Sequence, residues 1–243
     1  PHAYAGYMAK KMLTDDGFHI PIVTTLHGTD ITLVGSHPFY RPAVTFSINH
    51  SDKVTAVSKS LKNDTLRLFD ITTKIDVITN FIDIKKIEAK VMPCKRDLLA
   101  PKSHKIITHI SNFRPLKRIQ DVIKIFEKIL PTVPSKLLMV GEGPEKQKAM
   151  DYVKKNGLTE SISFLGNSNE IDKILCYSDL FLLPSEKESF GLSALEAMAN
   201  KVPVISSNAG GIPEVNKDNF SGYLSDVGDL DGMAKNALLL LQD

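Results

Sequence analysis

The stretch LFLLPSEKESFGLSALEAMAN, residues 180–200, joins a short apolar run to a segment rich in alanine and leucine. The apolar run predicts a buried strand, and the residues after Gly191 predict a helix. Glu188 lies in the connection, and Glu196 follows eight residues later, which corresponds to about 12 Å along a helix. Backbone N–H groups of the first helical turn would lie between the two carboxylates, where they can bind a diphosphate while the acids bind sugar hydroxyls. The stretch therefore predicts a strand–loop–helix unit suited to a sugar nucleotide.

The two glutamates also have a simpler interpretation, as surface acids on an ordinary amphipathic helix. Against it, the residues around Glu196, from Ala194 to Ala199, are otherwise small or apolar. We therefore expect the Glu196 carboxylate to be partly enclosed and to have a partner, since an unpaired buried charge is unfavourable.

Strand and helix patterns alternate along the rest of the chain. Runs of β-branched and apolar residues predict strands, the first of them buried, at 20–26, 53–57, 75–79, 106–110, 137–140, 162–165 and 202–205. Helical periodicity predicts helices at 3–13, 58–69, 119–130, 146–156 and 230–242. Such alternation favours parallel sheets made of βαβ units. Because the charged, irregular segment 83–103 separates two such series, we predict two Rossmann-like lobes, 1–97 and 98–243.

Composition argues against several classes of protein. Apolar residues make up 42% of the 243 residues, as in globular proteins, and no apolar run approaches the roughly 18 residues of a membrane span. A net charge of +2, with scattered lysines and arginines, argues against nucleic acid as a partner. Cys94 and Cys176 lack the spacing of a metal site or a disulfide framework, so we expect a reducing compartment, the cytoplasm. The histidines also lack ligand spacing, so we predict no metal site, and homo-oligomerisation stays open.

Three other loops follow predicted strands of the second series and carry candidate ligand residues. Arg114 can bind a phosphate with two N–H groups and Lys117 can add a point charge, although a solvated basic loop also fits the sequence. Gly141 and Gly143 allow a tight turn and the close approach of a flat ligand, and a plain turn is an equal alternative. In 208–214, paired glycines followed by proline and glutamate indicate either a ligand contact or a loop with a structural role.

Two polar segments follow strands of the first series. His27-Gly28-Thr29-Asp30 comes directly after the run 20–26, where a histidine can transfer a proton or hydrogen-bond a substrate. An ordinary loop histidine is the simpler alternative. Asn80, after the strand at 75–79, can donate and accept hydrogen bonds at the same kind of position. Because ligands of open parallel sheets bind at the carboxyl ends of the strands, both segments are candidates.

Together these residues resemble the retaining glycosyltransferases of family four, which have the two-lobed GT-B fold. The resemblance covers nearly the whole chain and is carried by segments 27–30, 57–58, 111–118, 141–144, 188–196 and 210–214. Its most specific parts are the E-x7-E element in its E-x-F-G setting and the G-G-x-P-E loop. It implies an acceptor-binding first lobe, truncated at its N-terminus, and a nucleotide-sugar-binding second lobe that lacks the final crossover helix. We therefore expect a piece of a longer enzyme that is inactive by itself.

The resemblance also implies roles for individual residues. Arg114 and Lys117 would hold the UDP diphosphate, Glu188 would contact the donor sugar, and Glu196 would bind the ribose hydroxyls. The implied catalytic set consists of His27, Arg114, Lys117 and Glu188. The donor site is completed by Gly141, Gly143, Phe190, Gly191 and Leu192, and the acceptor site comprises His27, Thr29, Arg41 and Asn80. Enzymes of this kind use the UDP-sugar as co-substrate and need no metal or other cofactor.

Several segments resemble in particular the branch of the family that transfers GlcNAc from UDP-GlcNAc to L-malate, in the first step of bacillithiol biosynthesis. They are residues 1–5, 24–32, 80–83, 109–114 and 185–191. Members of this branch have an arginine near the position of Thr45 that helps to bind the anionic acceptor, and the nearest here is Arg41, one helical turn away. Two alternatives stay open: another UDP- or GDP-sugar with a lipid or polysaccharide acceptor, and a non-catalytic nucleotide-sugar-binding module.

Overall fold

The computed structural model of the chain describes residues 2–35, 37–89, 96 and 99–242. The chain divides into two compact units, Pro1–Asn80 and Phe81–Asp243, each with its own parallel sheet. The sequence placed a domain boundary between residues 97 and 98, which lie outside the described residues, so that boundary stays a prediction.

The first unit contains a three-stranded parallel sheet in the order β1-β2-β3. Its elements are α1 (His2–Asp15), β1 (Val23–Leu26), a π-helical turn (Asp30–Val34), α2 (Arg41–Asn49), β2 (Lys53–Ala56), α3 (Lys59–Leu68) and β3 (Ile75–Val77). The side chain of Ser58 accepts a hydrogen bond from the Leu61 N–H and so caps α3.

The second unit contains a six-stranded parallel sheet in the order β6-β5-β4-β7-β8-β9. Its strands are β4 (Lys105–Ile110), β5 (Ser135–Val140), β6 (Ile162–Gly166), β7 (Leu180–Leu183), β8 (Val204–Ser207) and β9 (Gly222–Ser225). Its helices are α4 (Ile84–Ala89), α5 (Ile119–Ile129), α6 (Lys146–Lys155), α7 (Ile171–Cys176), α8 (Leu192–Ala199), α9 (Ile212–Val215) and α10 (Leu230–Gln242), with a 3₁₀ turn at Pro115–Lys117.

Apolar side chains of the six-stranded sheet alternate between its two faces, as the pleat of a strand requires. Residues of one face pack with α5, α6 and α10 in a buried cluster that includes Ile107, Leu137, Leu180 and Leu182. Residues of the other face pack against α7 and α8 and include Ile106, Leu138 and Phe181. Helices thus cover both faces of the sheet, which confirms the predicted α/β class with parallel strands.

Some local predictions were wrong for identifiable reasons. The run 20–26 was expected to be a buried strand, but β1 is an edge strand of its sheet in the described chain, and Val23 is 64% exposed. The segment 83–103 was expected to be irregular, but α4 begins there because the Asp83 side chain and carbonyl accept the Lys86 N–H.

Two further findings concern the chemistry of the whole chain. No helix in the described ranges is both long enough and apolar enough to cross a membrane. Cys176 is disulfide-bonded, a bond that the sequence analysis did not predict, and Cys94 lies outside the described residues.

Candidate functional site

The strand order of the second unit reverses between β4 and β7. From β4 the chain continues outward through β5 and β6, whereas β7, β8 and β9 lie on the other side. In open parallel sheets, ligands bind at the carboxyl ends of the strands where the order reverses. The two loops that begin there are the β4 loop, residues 111–118, and the β7 loop, residues 184–191. They contain five of the residues predicted to bind the donor: Arg114, Lys117, Glu188, Phe190 and Gly191.

An ion pair joins the two loops. The Nζ atom of Lys117 lies 2.5 Å from Oε1 of Glu188, and the two side chains are only 15% and 11% exposed. Ser185 donates a second hydrogen bond to the same carboxylate oxygen at 3.0 Å. The backbone N–H of Glu186 also donates to the Leu116 carbonyl at 2.8 Å. The resemblance implies that Lys117 and Glu188 bind the same ligand, but it does not predict their direct contact.

Arg114 is the cation of the β4 loop that remains available to bind a ligand. Its residue is exposed, and its guanidinium has no hydrogen-bond or ion-pair partner among the described residues. The backbone on each side is unusual, because Phe113 has φ 33° and Arg118 has φ 53°. Left-handed conformations of non-glycine residues are strained and are found often at functional sites.

The glycines after β5 pack against the β4 loop. A Cβ atom on Gly141 would lie 1.8 Å from the Ser111 carbonyl oxygen, and one on Gly143 would lie 2.2 Å from that of Asn112. Both residues have positive φ, +128° and +156°. Only glycine fits these positions, because any side chain would overlap backbone atoms. The close approach expected at Gly141 and Gly143 is therefore made to the protein backbone, and a ligand contact by these two residues stays a prediction.

The paired glycines after β8 support the β7 loop in the same way. A Cβ atom on Gly210 would lie 2.0 Å from the Glu188 carbonyl oxygen, and one on Gly211 would lie 2.4 Å from that of Ser189. The Gly211 N–H also donates to the Glu188 carbonyl at 2.9 Å. These contacts support the interpretation of segment 208–214 as a loop with a structural role, and they provide no evidence for a ligand contact.

The helix that follows the β7 loop begins after Gly191, as the sequence predicts, but the residues from Glu188 to Gly191 are not helical. Gly191 has φ 95° and ψ 45° and precedes α8, whose first residue is Leu192. Only the four residue steps from Leu192 to Glu196 are helical, so the continuous helix from which the spacing of about 12 Å was calculated is not formed. The N–H groups of Leu192 and Ser193 have no acceptor within the described part of the chain, as is usual in a first turn. Phe190 is 6% exposed, so its ring packs inside the unit.

Glu196 lies on α8 and is half-buried. Burial, and to a smaller extent the Asp172 carboxylate, raises the pKa of its carboxyl above the ordinary value. Its carboxylate has no hydrogen-bond partner among the described residues, so the partner expected for it stays a prediction. A partly enclosed, unpartnered carboxylate remains able to accept hydrogen bonds from ligand hydroxyls.

Sequence reasoning missed His109, which is fully buried in β4. Its Nδ1 atom lies 2.8 Å from the Leu182 carbonyl oxygen, and its Nε2 atom lies 2.8 Å from Oγ of Ser111. Burial lowers the pKa of this imidazole to about 4; the Leu182 hydrogen bond opposes that change and the Lys117 charge adds to it. The sequence signals were a histidine inside an apolar strand and its place in segment 109–114, and neither indicates a hydrogen bond to a neighbouring strand.

The predicted acceptor residues lie in the first unit, and the structure brings only some of them together. His27 and Thr29 follow β1, are exposed, and line a cavity of about 780 Å³. Arg41 and Asn80 are not among the lining residues, and the Arg41 guanidinium lies 6.0 Å from the centre of the Phe69 ring. Across the described ranges, no group of three or more His, Cys, Asp or Glu side chains could hold a metal ion.

Comparison with known proteins gives a consistent result over the whole chain. Residues 94–243 match the family described as Glycosyl transferases group 1, and residues 1–86 match Glycosyltransferase Family 4. N-acetyl-alpha-D-glucosaminyl L-malate synthase of Bacillus anthracis is 47% identical over 100% of this chain and 63% of that protein. Glycogen synthase of Mycobacterium tuberculosis is 26% identical over 100% of this chain and 60% of that protein. The chain therefore spans less than two thirds of the length of these curated relatives.

Solved structures resemble the chain in fold. Anabaena HepE, in complex with UDP and glucose, matches with a TM-score of 0.85 and 21% identity over 99% of this chain and 66% of that chain. A mutant of S. aureus TarM, in complex with fondaparinux, alpha-GlcNAc-glycerol and UDP, matches with a TM-score of 0.76 and 25% identity over 92% of this chain and 44% of that chain.

Proposed function

The chain belongs to the glycosyltransferases of group 1 and family 4, and from this premise we propose that the complete protein transfers N-acetylglucosamine from UDP-GlcNAc to L-malate. Its α/β fold with parallel sheets is that of the GT-B glycosyltransferases. The proposed sugar and acceptor are those in the name of the 47% identical relative, and UDP is bound in the two solved structures of similar fold. The reaction would be the first step of bacillithiol biosynthesis.

One observation carries the donor half of the proposal: Lys117 and Glu188 meet where the strand order reverses. This pair places a cation for a phosphate next to an acid for a sugar hydroxyl. The ammonium group has three N–H donors, so Lys117 can bind a phosphate oxygen while it keeps its contact with Glu188. Arg114, on the same loop, can bind a second phosphate oxygen with two N–H groups.

The proposed transfer develops negative charge on the leaving diphosphate. As the bond between the sugar C1 and the phosphate oxygen breaks, Arg114, Lys117 and the N–H groups at the start of α8 would stabilise that charge. Because these contacts strengthen as the charge grows, they would lower the barrier and not only tighten binding. Glu188 would accept a hydrogen bond from the donor sugar, and Glu196 would accept from the ribose.

We further propose that the configuration at C1 is retained through front-face attack. The acceptor hydroxyl oxygen would bond to C1 on the side from which the diphosphate leaves, and its proton would pass to a leaving phosphate oxygen. No protein nucleophile takes part in this scheme. His27 and Thr29 would contact the acceptor from the first unit.

The cavity of the first unit favours a second candidate for the acceptor. L-malate carries two carboxylates, which need cationic partners, but only His2 and His27 among the lining residues can carry positive charge. A family-four enzyme with another UDP- or GDP-sugar and a lipid or polysaccharide hydroxyl as acceptor is compatible with such a lining. A nucleotide-sugar-binding module without catalytic activity is the third possibility.

We also propose that the enzyme needs no metal ion. Arg114, Lys117 and the start of α8 would supply the positive charge that a divalent cation supplies in other transferases. Removal of divalent cations with EDTA should leave the rate unchanged, and a loss that Mg²⁺ restores would contradict the proposal. A cytoplasmic location is proposed from the low cysteine content, and the disulfide of Cys176 argues against it.

Calorimetric titration of this chain with UDP and UDP-GlcNAc tests the donor half. Charge reversal by Arg114→Glu should abolish binding, whereas Lys154→Glu, an exposed reversal on α6, should not change it. Unchanged affinity of Arg114→Glu would refute the role of that arginine. UDP release by the complete protein tests the acceptor half: dependence on L-malate supports our first proposal, and release only with another acceptor supports the second. Binding without turnover in the presence of any acceptor would indicate a binding module.

A further inference from the structure

His109 fixes the direction of a short chain of hydrogen bonds at the carboxyl end of β4. Its Nδ1 atom faces the Leu182 carbonyl of β7, and its Nε2 atom faces the Ser111 hydroxyl, both at 2.8 Å. A carbonyl oxygen can only accept, so Nδ1 carries the proton of the neutral ring. Nε2 must then accept the hydroxyl proton of Ser111. The orientation of that hydroxyl is therefore set by β7, through His109.

Ser111 transmits this constraint to the β4 loop. With its proton directed at His109, the Ser111 oxygen can accept, and the Phe113 N–H donates to it at 3.3 Å. Phe113 is fully buried, and its ring is stacked with that of His109 at 6.1 Å between centroids. Its φ of 33° is unfavourable for a bulky residue and persists only where the surroundings determine it. Arg114 follows directly, and Lys117 follows three residues later.

We propose that His109 and Ser111 are positioning residues that hold Phe113 in its left-handed conformation, so that Arg114 and Lys117 extend from a fixed backbone. The proposal rests on the diphosphate-binding function proposed for the β4 loop. The proposal needs no contact between the ligand and either side chain: His109 is fully buried, and the Ser111 hydroxyl is hydrogen-bonded to His109 and to the Phe113 N–H. The pKa of about 4 keeps the imidazole neutral near neutral pH, so the direction of the hydrogen bonds stays the same there.

The variants Ser111→Ala and His109→Leu, singly and together, test the proposal in the complete chain. Each should weaken UDP binding about tenfold, the effect of one lost hydrogen bond that orders a binding group. Each should also speed amide hydrogen exchange in peptides covering residues 112–118. Because both residues act through one chain of hydrogen bonds, the UDP affinity of the double variant should be no lower than that of the single variant with the lower affinity.

Thr108→Val provides the matched control. Thr108 is the neighbour of His109 in β4, is also fully buried, and has a side-chain hydrogen bond of 2.6 Å to Ser178 on the other face of the sheet. Its loss should lower stability but leave UDP affinity within about twofold. If His109→Leu does not fold, Ser111→Ala decides, because it removes only a hydroxyl group.

The outcomes separate this proposal from the proposed function. If the unmodified chain does not bind UDP, the proposed function fails, and amide exchange alone decides on the positioning role. If the chain binds UDP but Ser111→Ala changes neither affinity nor exchange of the β4 loop, the positioning role is overturned. Equal weakening by Thr108→Val would overturn it too, since the effect would then be a general one of β4.

Discussion

Replacing Gly141 by alanine should damage the site from a distance, through the backbone alone. The new Cβ atom would lie 1.8 Å from the Ser111 carbonyl oxygen, at a φ of +128°. Holding an alanine at positive φ costs about 1–2 kcal/mol, and the overlap of its Cβ atom with the backbone costs about 1–3 kcal/mol more. We therefore expect a loss of about 3–4 kcal/mol in the free energy of unfolding, which lowers Tm by about 6–16 °C at this chain length.

Alanine substitutions at two other glycines distinguish the effect of the close contact from the effect of backbone strain. Gly222→Ala creates an equally close contact, 1.8 Å from the Val204 carbonyl, but between β8 and β9 and not at the β4 loop. Gly157→Ala has φ +69° and no atom within 4 Å of the new Cβ, so it should cost only the strain, about 1–2 kcal/mol. All three variants lie in the second unit, which permits direct comparison.

Urea unfolding followed by circular dichroism, together with calorimetric titration of UDP below the transition, measures both effects. Gly141→Ala and Gly222→Ala should lose similar stability, but only Gly141→Ala should lose UDP affinity, by about tenfold or more, since the β4 loop must move. Wild-type affinity in a folded Gly141→Ala variant would refute the argument that this glycine supports the loop. A Gly157→Ala variant as unstable as Gly141→Ala would refute the argument from close contact.

Three further predictions concern individual interactions. Glu188→Gln and Lys117→Met should each lower the free energy of unfolding by about 3 kcal/mol, because each leaves one charge of a largely buried pair uncompensated. The double variant should lose less stability than the sum of the two single losses. Additive losses, measured by urea unfolding, would contradict the pairing. The pKa of His109 is about 4 in the folded state and 6.5 in the unfolded state, so the unfolded state binds more protons between these two pH values. The free energy of unfolding should therefore fall by about 3 kcal/mol as the pH is lowered from 6.5 to 4. His109→Leu should flatten that part of the stability profile, and an unchanged profile would contradict the assignment to His109. Ser58→Ala should cost about 1 kcal/mol through the lost cap of α3, with UDP affinity unchanged, and a wild-type unfolding midpoint would contradict the role of the cap.

The sequence predicted those elements whose signal is local. β4, β7 and α10 match their predicted positions closely, because apolar runs and helical periodicity mark them directly. The burial of β1 could not be read in this way, since it depends on which strands lie beside it. The same limit applies to the spacing of Glu188 and Glu196, because the residues from Glu188 to Gly191 are not helical.

The candidate site shows a similar division. The residue types at the strand ends were enough to single out Arg114, Lys117 and Glu188, but not to show that Lys117 and Glu188 contact each other. The partners of Gly141 and Gly210 are backbone atoms far away in sequence, and no local pattern encodes such contacts. His109 was missed because its role depends on a carbonyl of the neighbouring strand.

The Lys117–Glu188 pair has a consequence for how a dianion reaches the protein. The two charges of this pair cancel, and Arg118 is paired with Asp121, so Arg114 is left as the cation of the β4 loop without a carboxylate partner in the described chain. Attraction at long range depends on net charge and fades within about 8 Å at physiological ionic strength. Added salt should therefore slow the association of UDP only slightly. The lifetime of the complex should depend mainly on how well the Lys117 ammonium group can hydrogen-bond to a UDP phosphate and to the Glu188 carboxylate at the same time.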